Sequence, residues 1–172
     1  WFYHKYTLVV VCIASVAAVF VTNPVDYEYA KTYLNQEFEN FPLNLDTLYN
    51  TKNFEKIGQP KRDVRNEKVI LAFLSSSCDH CRIAAKKMSV IHLRNAQIPF
   101  YFFINGDDED IKHFKMLTGI ENIESSKLNG STFIEIAGVQ LPVIYYFNKG
   151  MVEKRVNYYT LSQNHIEQWL NL

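Results

Sequence analysis

Two cysteines separated by two residues are the part of this sequence best suited to chemistry. They form the motif Cys78-Asp-His-Cys81, which follows a short serine run. Two thiols about one helical turn apart can form a disulfide, exchange it with other disulfides, or bind a metal. Zinc is disfavoured because a tetrahedral site needs two more ligands and the sequence has no second Cys-x-x-Cys. Covalent haem is disfavoured because Arg82, not histidine, follows the second cysteine.

The position of each cysteine predicts its role in thiol–disulfide exchange, which needs no metal and no cofactor beyond the pair itself. Cys78 falls where a helix is predicted to begin, and unpaired backbone N–H groups and the helix dipole favour negative charge there. We therefore expect Cys78 to be the exposed nucleophile and Cys81 to be the buried thiol that resolves a mixed disulfide. Protonated His80 would favour the Cys78 thiolate and Asp79 would oppose it, so both are predicted to tune the pair.

An apolar strand and a helix must hold this pair in place. Residues 69–74 are continuously apolar and predict a buried strand, and the serines at 75–77 can end the strand and cap a helix. Downstream, the pattern predicts a strand over 98–104, a helix from about 108 to 117, a loop over 120–130, a short helix or strand over 132–137, strands over 143–147 and 151–157 joined by a turn, and a helix ending near 170. This order of strands and helices predicts an α/β domain.

A second apolar run stands near the N-terminus. Residues 8–21 are uncharged and almost wholly apolar, but the run is shorter than the roughly 20 residues of a spanning helix. Aromatic residues and Lys5 precede it, and Asp26 and Glu28 follow it, which favours a cytoplasmic N-terminus. Cys12 lies inside the run and is interpreted as a small hydrophobic residue. A buried helix of a soluble core is the alternative interpretation of this segment.

These patterns divide the chain into three parts. We predict a transmembrane anchor or uncleaved signal segment at 1–22, with lipid contact through residues 6–22. A spacer that packs on the domain follows at 23–66, and the domain occupies 67–172. Equal numbers of basic and acidic residues, 18 of each, argue against a surface for nucleic acid, which needs a surplus of Lys and Arg.

Over about residues 67–172 the chain resembles the thioredoxin superfamily. The resemblance rests on the strand at 69–74, on Cys78-Asp-His-Cys81 opening a helix, and on Leu141-Pro142 before a hairpin whose turn is at 148–150. It implies a thioredoxin-like α/β fold, with a central mixed sheet of about four strands flanked by helices. It also implies a cis-proline at Pro142 beside the cysteines, with the backbone of Leu141 free to pair with an extended substrate.

Several residues depart from the pattern of this superfamily. Ser77 stands where many members have tryptophan, and Asp-His stands between the cysteines in place of Gly-Pro. Ala72 takes the place of a buried acid that assists proton transfer in many members. Glu67 and Asp79 are the alternative carboxylates that we consider for that role.

The combined features predict a membrane-tethered thiol–disulfide oxidoreductase. With the N-terminal segment, the chain looks like the tethered extracytoplasmic branch found in bacteria. We expect a single-pass protein of the inner membrane with its domain in the periplasm, protein thiols or disulfides as substrates, and an electron donor or acceptor in the membrane. The direction of electron flow stays open. The alternative is a non-catalytic thioredoxin-like binding module at the soluble end of a larger membrane protein.

Overall fold

The computed structural model of the chain describes residues 6–7, 9–15, 40–50, 58 and 60–172. The chain divides into two compact units, Trp1–Gln36 and Glu37–Leu172.

In the first unit, residues 6–7 and 9–15 are helical and exposed. Within the described residues, no helix combines the length and the apolar character that crossing a membrane requires. The remaining residues of the predicted anchor, including 16–22, lie outside the described part of the chain.

A mixed sheet of six strands organises the second unit, with strand order β1-β6-β5-β2-β3-β4. The sheet is larger than the four strands expected from the sequence, because two short edge strands, β1 and β4, join it. The elements in chain order are β1 (Phe41–Pro42), α1 (Asp46–Asn50), β2 (Lys68–Ser75), α2 (Asp79–Arg94), β3 (Phe100–Asn105), α3 (Asp108–Thr118), β4 (Ser125–Lys127), α4 (Gly130–Ala137), β5 (Val143–Asn148), β6 (Met151–Val156) and α5 (Gln163–Leu170).

The two edge strands explain the difference between the expected and the observed sheet. β4 lies inside the segment predicted to be a loop, where Ser-Ser-Lys lacks the β-branched and aromatic residues that signal a strand. It pairs in parallel with β3, and Ser126 Oγ is 2.5 Å from Tyr101 Oη across the two strands. β1 pairs antiparallel with β6, and its Pro42 is tolerated because an edge strand need not donate every N–H.

β2 is the centre of the sheet, parallel to β3 on one side and antiparallel to β5 on the other. Its six apolar residues, 69–74, are fully buried. Because side chains alternate along a strand, they serve two separate apolar clusters. Ile70, Ala72 and Leu74 belong to the first cluster, and Val69, Leu71 and Phe73 belong to the second.

Each cluster is covered by its own set of helices. On the first face, α2 contributes Cys81 and Met88, α3 contributes Phe114, and α5 contributes Ile166. On the second face lie Leu45, Leu48 and Val64 from the chain before β2, together with Phe133 and Ala137 of α4. Residues 132–137, for which the sequence left a helix and a strand as alternatives, are helical and lie in α4. The thiol of Cys81 is thus part of the core between β2 and α2.

Candidate functional site

A tight connection between β2 and α2 positions the cysteine motif. The N–H of Cys78 donates to the carbonyl of Ser75 at 3.2 Å, and the N–H of Ser76 donates to the carbonyl of Asn105 in β3 at 2.9 Å. Gly106, with φ +149°, permits this approach, since a Cβ there would lie 2.2 Å from Ser76 Oγ. The connection therefore fixes Cys78 at the end of the sheet where β2 and β3 both terminate.

Cys78 is the N-cap of α2 and has extended backbone angles, φ −96° and ψ 118°. Its Sγ accepts a hydrogen bond from the N–H of Cys81 at 3.2 Å, and the side chain is half-buried. A backbone donor at a helix N-terminus stabilises negative charge on the sulfur that it contacts. The position therefore suits a nucleophilic thiolate that solvent and a substrate can reach.

Cys81 lies one turn further into α2 and is fully buried. Its Sγ accepts a hydrogen bond from the N–H of Ser75 at 3.4 Å. Burial raises the pKa of the Cys81 thiol and the hydrogen bond with Cys78 raises it further, while the N–H of Ser75 acts in the opposite direction. Both cysteines of the motif are free, so the pair consists of one accessible thiol and one buried, protonated thiol.

Leu141 and Pro142 lie beside the same end of β2. Val143, the first residue of β5, pairs with Phe73, and extending that register by one residue brings Pro142 next to Leu74. The peptide bond between Leu141 and Pro142 is cis. Leu141 is half-buried and packs against the same apolar cluster as Cys78.

The two residues between the cysteines have partners that local sequence patterns only partly suggest. Asp79 is 85% exposed and its carboxylate binds the guanidinium of Arg82 at 2.9 Å. The i,i+3 spacing was a signal for this pair, since side chains three apart are neighbours on a helix. The ring of His80 stacks on Tyr158, with centroids 5.6 Å apart and planes 19° apart. No local pattern identifies Tyr158, because it lies far along the chain. The tuning roles of Asp79 and His80 stay predictions.

Neither proposed stand-in is a carboxylate buried beside Cys81. Glu67 pairs with Arg62 at 3.1 Å just before β2 begins, whereas Cys81 contacts Ser75 at its other end. Eight strand residues span about 25 Å, so the expectation for Glu67 is wrong. Asp79 points into solvent and is paired. Within the described residues the buried polar side chains are serines and a threonine, so no carboxylate is buried near Ala72.

The described residues contain no group of three or more His, Cys, Asp or Glu side chains that could hold a metal ion. The chemistry that the arrangement supports is thiol–disulfide exchange at Cys78 and Cys81, with one thiol presented to solvent and the other held beneath it.

Comparison with known proteins adds information about the fold. A thiol:disulfide interchange protein from Bacteroides sp. superposes with a TM-score of 0.52 and 15% identity over 64% of this chain and 77% of that one. A domain of a possible thiol-disulfide isomerase from Cytophaga hutchinsonii superposes with a TM-score of 0.50 and 24% identity over 62% of this chain and 78% of that one. No family model matches the chain, and no curated protein matches it. The chain therefore has the thioredoxin-like fold.

Proposed function

We propose that this chain, which has the thioredoxin-like fold, exchanges thiols and disulfides with protein substrates through Cys78 and Cys81. The observation that carries the proposal is the asymmetry of the pair. Cys78 Sγ sits at the N-cap of α2 and accepts an N–H, whereas Cys81 is fully buried and its pKa is raised by burial. Cys78 is therefore suited to attack a substrate disulfide, and Cys81 is suited to resolve the mixed disulfide that forms.

The exchange takes two steps and moves two electrons. The Cys78 thiolate attacks one sulfur of a substrate disulfide, so that a mixed disulfide forms and the other substrate thiolate leaves. The Cys81 thiol then loses its proton and attacks Cys78 Sγ. A disulfide forms between the two cysteines, and the second substrate thiolate leaves and takes up a proton. The substrate is reduced and the pair is oxidised, and the reverse sequence oxidises a dithiol substrate.

We propose that Leu141 and Pro142 dock the substrate next to Cys78. Their position at the start of β5 supports this role, because the end of β2 that leads to Cys78 lies directly beside them. The half-buried Leu141 side chain would contact an extended substrate segment, while its backbone would pair with that segment. Asp79 and His80 would adjust the stability of the Cys78 thiolate from the first turn of α2.

The cellular setting in the proposal rests on the sequence. The apolar run at residues 8–21 supports a membrane anchor, with the domain outside the cytoplasm and a redox partner in the membrane. Disulfide exchange in such a compartment is chemically consistent, since disulfides persist in oxidising environments.

Equilibration with glutathione tests the proposed reaction. Wild-type protein should cycle between a dithiol and a disulfide as the ratio of reduced to oxidised glutathione changes. At the motif, Cys81→Ser should stop at a stable mixed disulfide between Cys78 and glutathione, and Cys78→Ser should form no motif disulfide and no mixed disulfide at Cys81 at a comparable rate. Mass spectrometry distinguishes these products. Absence of both cycling and mixed disulfide would refute the reaction and leave the non-catalytic binding module.

A further inference from the structure

A pocket of about 240 Å³ lies between α2 and α3, directly beside the cysteine motif. Ser76 and Ser77 form the side nearest to Cys78, and Arg82 of α2 continues that wall. The buried ring of Phe114 and the half-exposed side chain of Leu117 supply an apolar surface from α3. The pocket is thus large enough for one side chain and begins one residue before the reactive thiol.

The order of the strands places this pocket and Leu141 on opposite sides of Cys78. β2 stands between β5 and β3 in the sheet. Leu141 leads into β5, whereas the pocket is formed by α3, which follows β3. A polypeptide whose cysteine reacts with Cys78 therefore has Leu141 on one flank and the pocket on the other. A residue next to the substrate cysteine can reach the pocket.

The charges that line the pocket favour a basic side chain. The guanidinium of Arg82 is already neutralised by Asp79, at 2.9 Å. Asp110 has no ion pair among the described residues, and it stands one turn before His113 on the same wall. With His113 neutral, the lining carries one uncompensated negative charge next to an apolar surface. This is the combination that suits a long apolar stem ending in a cation.

We propose that the pocket between α2 and α3 binds a lysine or arginine side chain adjacent to the reactive cysteine of the substrate. The stem would lie on Leu117 and Phe114, and the charged end would meet Asp110 and the serine hydroxyls. The proposal rests on the proposed function, because it names a preference within the substrates of that same site. It makes Asp110 a specificity-determining residue.

Peptide exchange rates test this preference. Two peptides differ only in carrying lysine or glutamate beside a cysteine that is activated as a mixed disulfide with a chromophoric thiol. Release of that thiol is followed at about pH 8, where histidine is largely neutral. Wild type should react roughly threefold faster with the lysine peptide, the size expected for an exposed ion pair. Asp110→Lys should reverse the preference, and Asp110→Asn should abolish it.

Glu109→Lys is the matched control, because it makes the same change in charge one residue away and does not line the pocket. It should leave the ratio of the two rates within about twofold of wild type. Equal rates for both peptides in wild type, or equal effects of Asp110→Lys and Glu109→Lys, would overturn the proposal.

A second measurement separates this proposal from the proposed function. The uncharged disulfide of mercaptoethanol reports only the reactivity of the cysteine pair. If the protein reduces this disulfide but reacts equally fast with the two peptides, the proposed pocket for a basic side chain is refuted. The proposed oxidoreductase activity is then retained. Failure to exchange in either direction, by reducing this disulfide or by oxidising mercaptoethanol, would refute the oxidoreductase and the pocket together.

Discussion

The two ends of β2 differ in the groups they carry. At Lys68, where β2 begins, charged side chains contact specific partners. At Ser75, where β2 ends, the functional groups are the thiols of Cys78 and Cys81. The ammonium of Lys68 bonds the carbonyl of Trp169 and lies 4.6 Å from the centre of its ring. The indole N–H of Trp169 donates to Glu153 at 2.6 Å. These contacts attach α5 to the sheet at the end opposite to the cysteines.

A second network at the same end holds the chain that precedes β2. The guanidinium of Arg62 binds Glu67 at 3.1 Å and Glu124 at 2.5 Å. It also lies 5.4 Å from the centre of the Tyr101 ring. The segment before β2 is thereby joined to β3 and to the approach to β4.

The difference between the two ends suggests a division of tasks. At the cysteine end, Cys78 Sγ meets a backbone N–H, and the charged pair of Asp79 and Arg82 is exposed. The contacts of Lys68 and Arg62 lie at the opposite end, about 25 Å away along β2. We therefore expect substitutions at the Lys68 end to change stability without changing thiol reactivity.

The largest effect is expected from Trp169→Ala. This change removes the contact with Lys68, the hydrogen bond to Glu153 and the packing on Tyr146, whose ring centre is 5.0 Å away. We expect a loss of about 2–3 kcal/mol in the free energy of unfolding, measured with urea. Leu93→Ala, at a side chain that is 79% exposed, should change it by less than about 0.5 kcal/mol. An altered alkylation rate of Cys78 in folded Trp169→Ala would contradict the expectation that the Lys68 end affects stability and not thiol reactivity.

Arg62→Ala should have a smaller effect, about 1 kcal/mol, because its ion pairs are roughly one-third exposed. The loss should diminish as salt is added, since salt screens partly exposed pairs. Arg94→Ala, at an exposed position near the end of α2, is the control for loss of one positive charge. Equal losses in the two variants would show that the Arg62 network contributes nothing beyond net charge.

The pH dependence of stability provides the third test. Hydrogen bonds from Asn148 and then from Trp169 lower the pKa of Glu153 in the folded chain. A lowered folded pKa gives a stabilising contribution that is present above the unfolded value and is lost as pH falls through the folded value. Stability of wild type should therefore fall more steeply than that of Glu153→Gln below about pH 4.5. Glu135→Gln should retain the wild-type slope, and parallel curves for wild type and Glu153→Gln would contradict the assignment.

The smallest effect on stability is expected from His80→Ala, a few tenths of a kcal/mol, because His80 is exposed and loses only its stacking on Tyr158. Its proposed tuning role predicts a clear change elsewhere. The rate of Cys78 alkylation as a function of pH should differ between wild type and His80→Ala at acidic pH, where an imidazolium favours the thiolate. Superimposable pH profiles of wild type and His80→Ala would refute the proposed role of His80 in tuning Cys78.

Local sequence patterns were sufficient for the elements that carry the cysteines. The apolar run at 69–74 became β2 and a helix follows the serines, because strand burial and helix formation depend on neighbouring residues. The N-cap of α2, however, is Cys78 and not one of the serines at 75–77. The helix predicted from about 108 to 117 is α3, and Gly119 adopts the left-handed conformation that ends it.

What the sequence missed depends on contacts between distant residues. β4 is a strand because its backbone pairs with that of β3, and three polar residues give no such signal by themselves. Tyr158 beneath His80 and the pocket that joins Ser77 to Asp110 arise only when separate elements pack together. Glu67, considered as a stand-in for the buried acid, lies at the other end of β2 from Cys81, since a carboxylate close to the motif in sequence can be a full strand length away in space.

The asymmetry between Cys78 and Cys81 is the central claim, and alkylation of the reduced protein measures it directly. The folded chain is treated briefly with iodoacetamide at neutral pH, and the modified cysteine is identified by peptide mass spectrometry. The half-buried, N-capping Cys78 should be modified roughly 100-fold faster than the buried Cys81, and denaturation should remove most of that difference. Equal rates in the folded chain, or faster modification of Cys81, would contradict the assignment of nucleophile and resolving thiol.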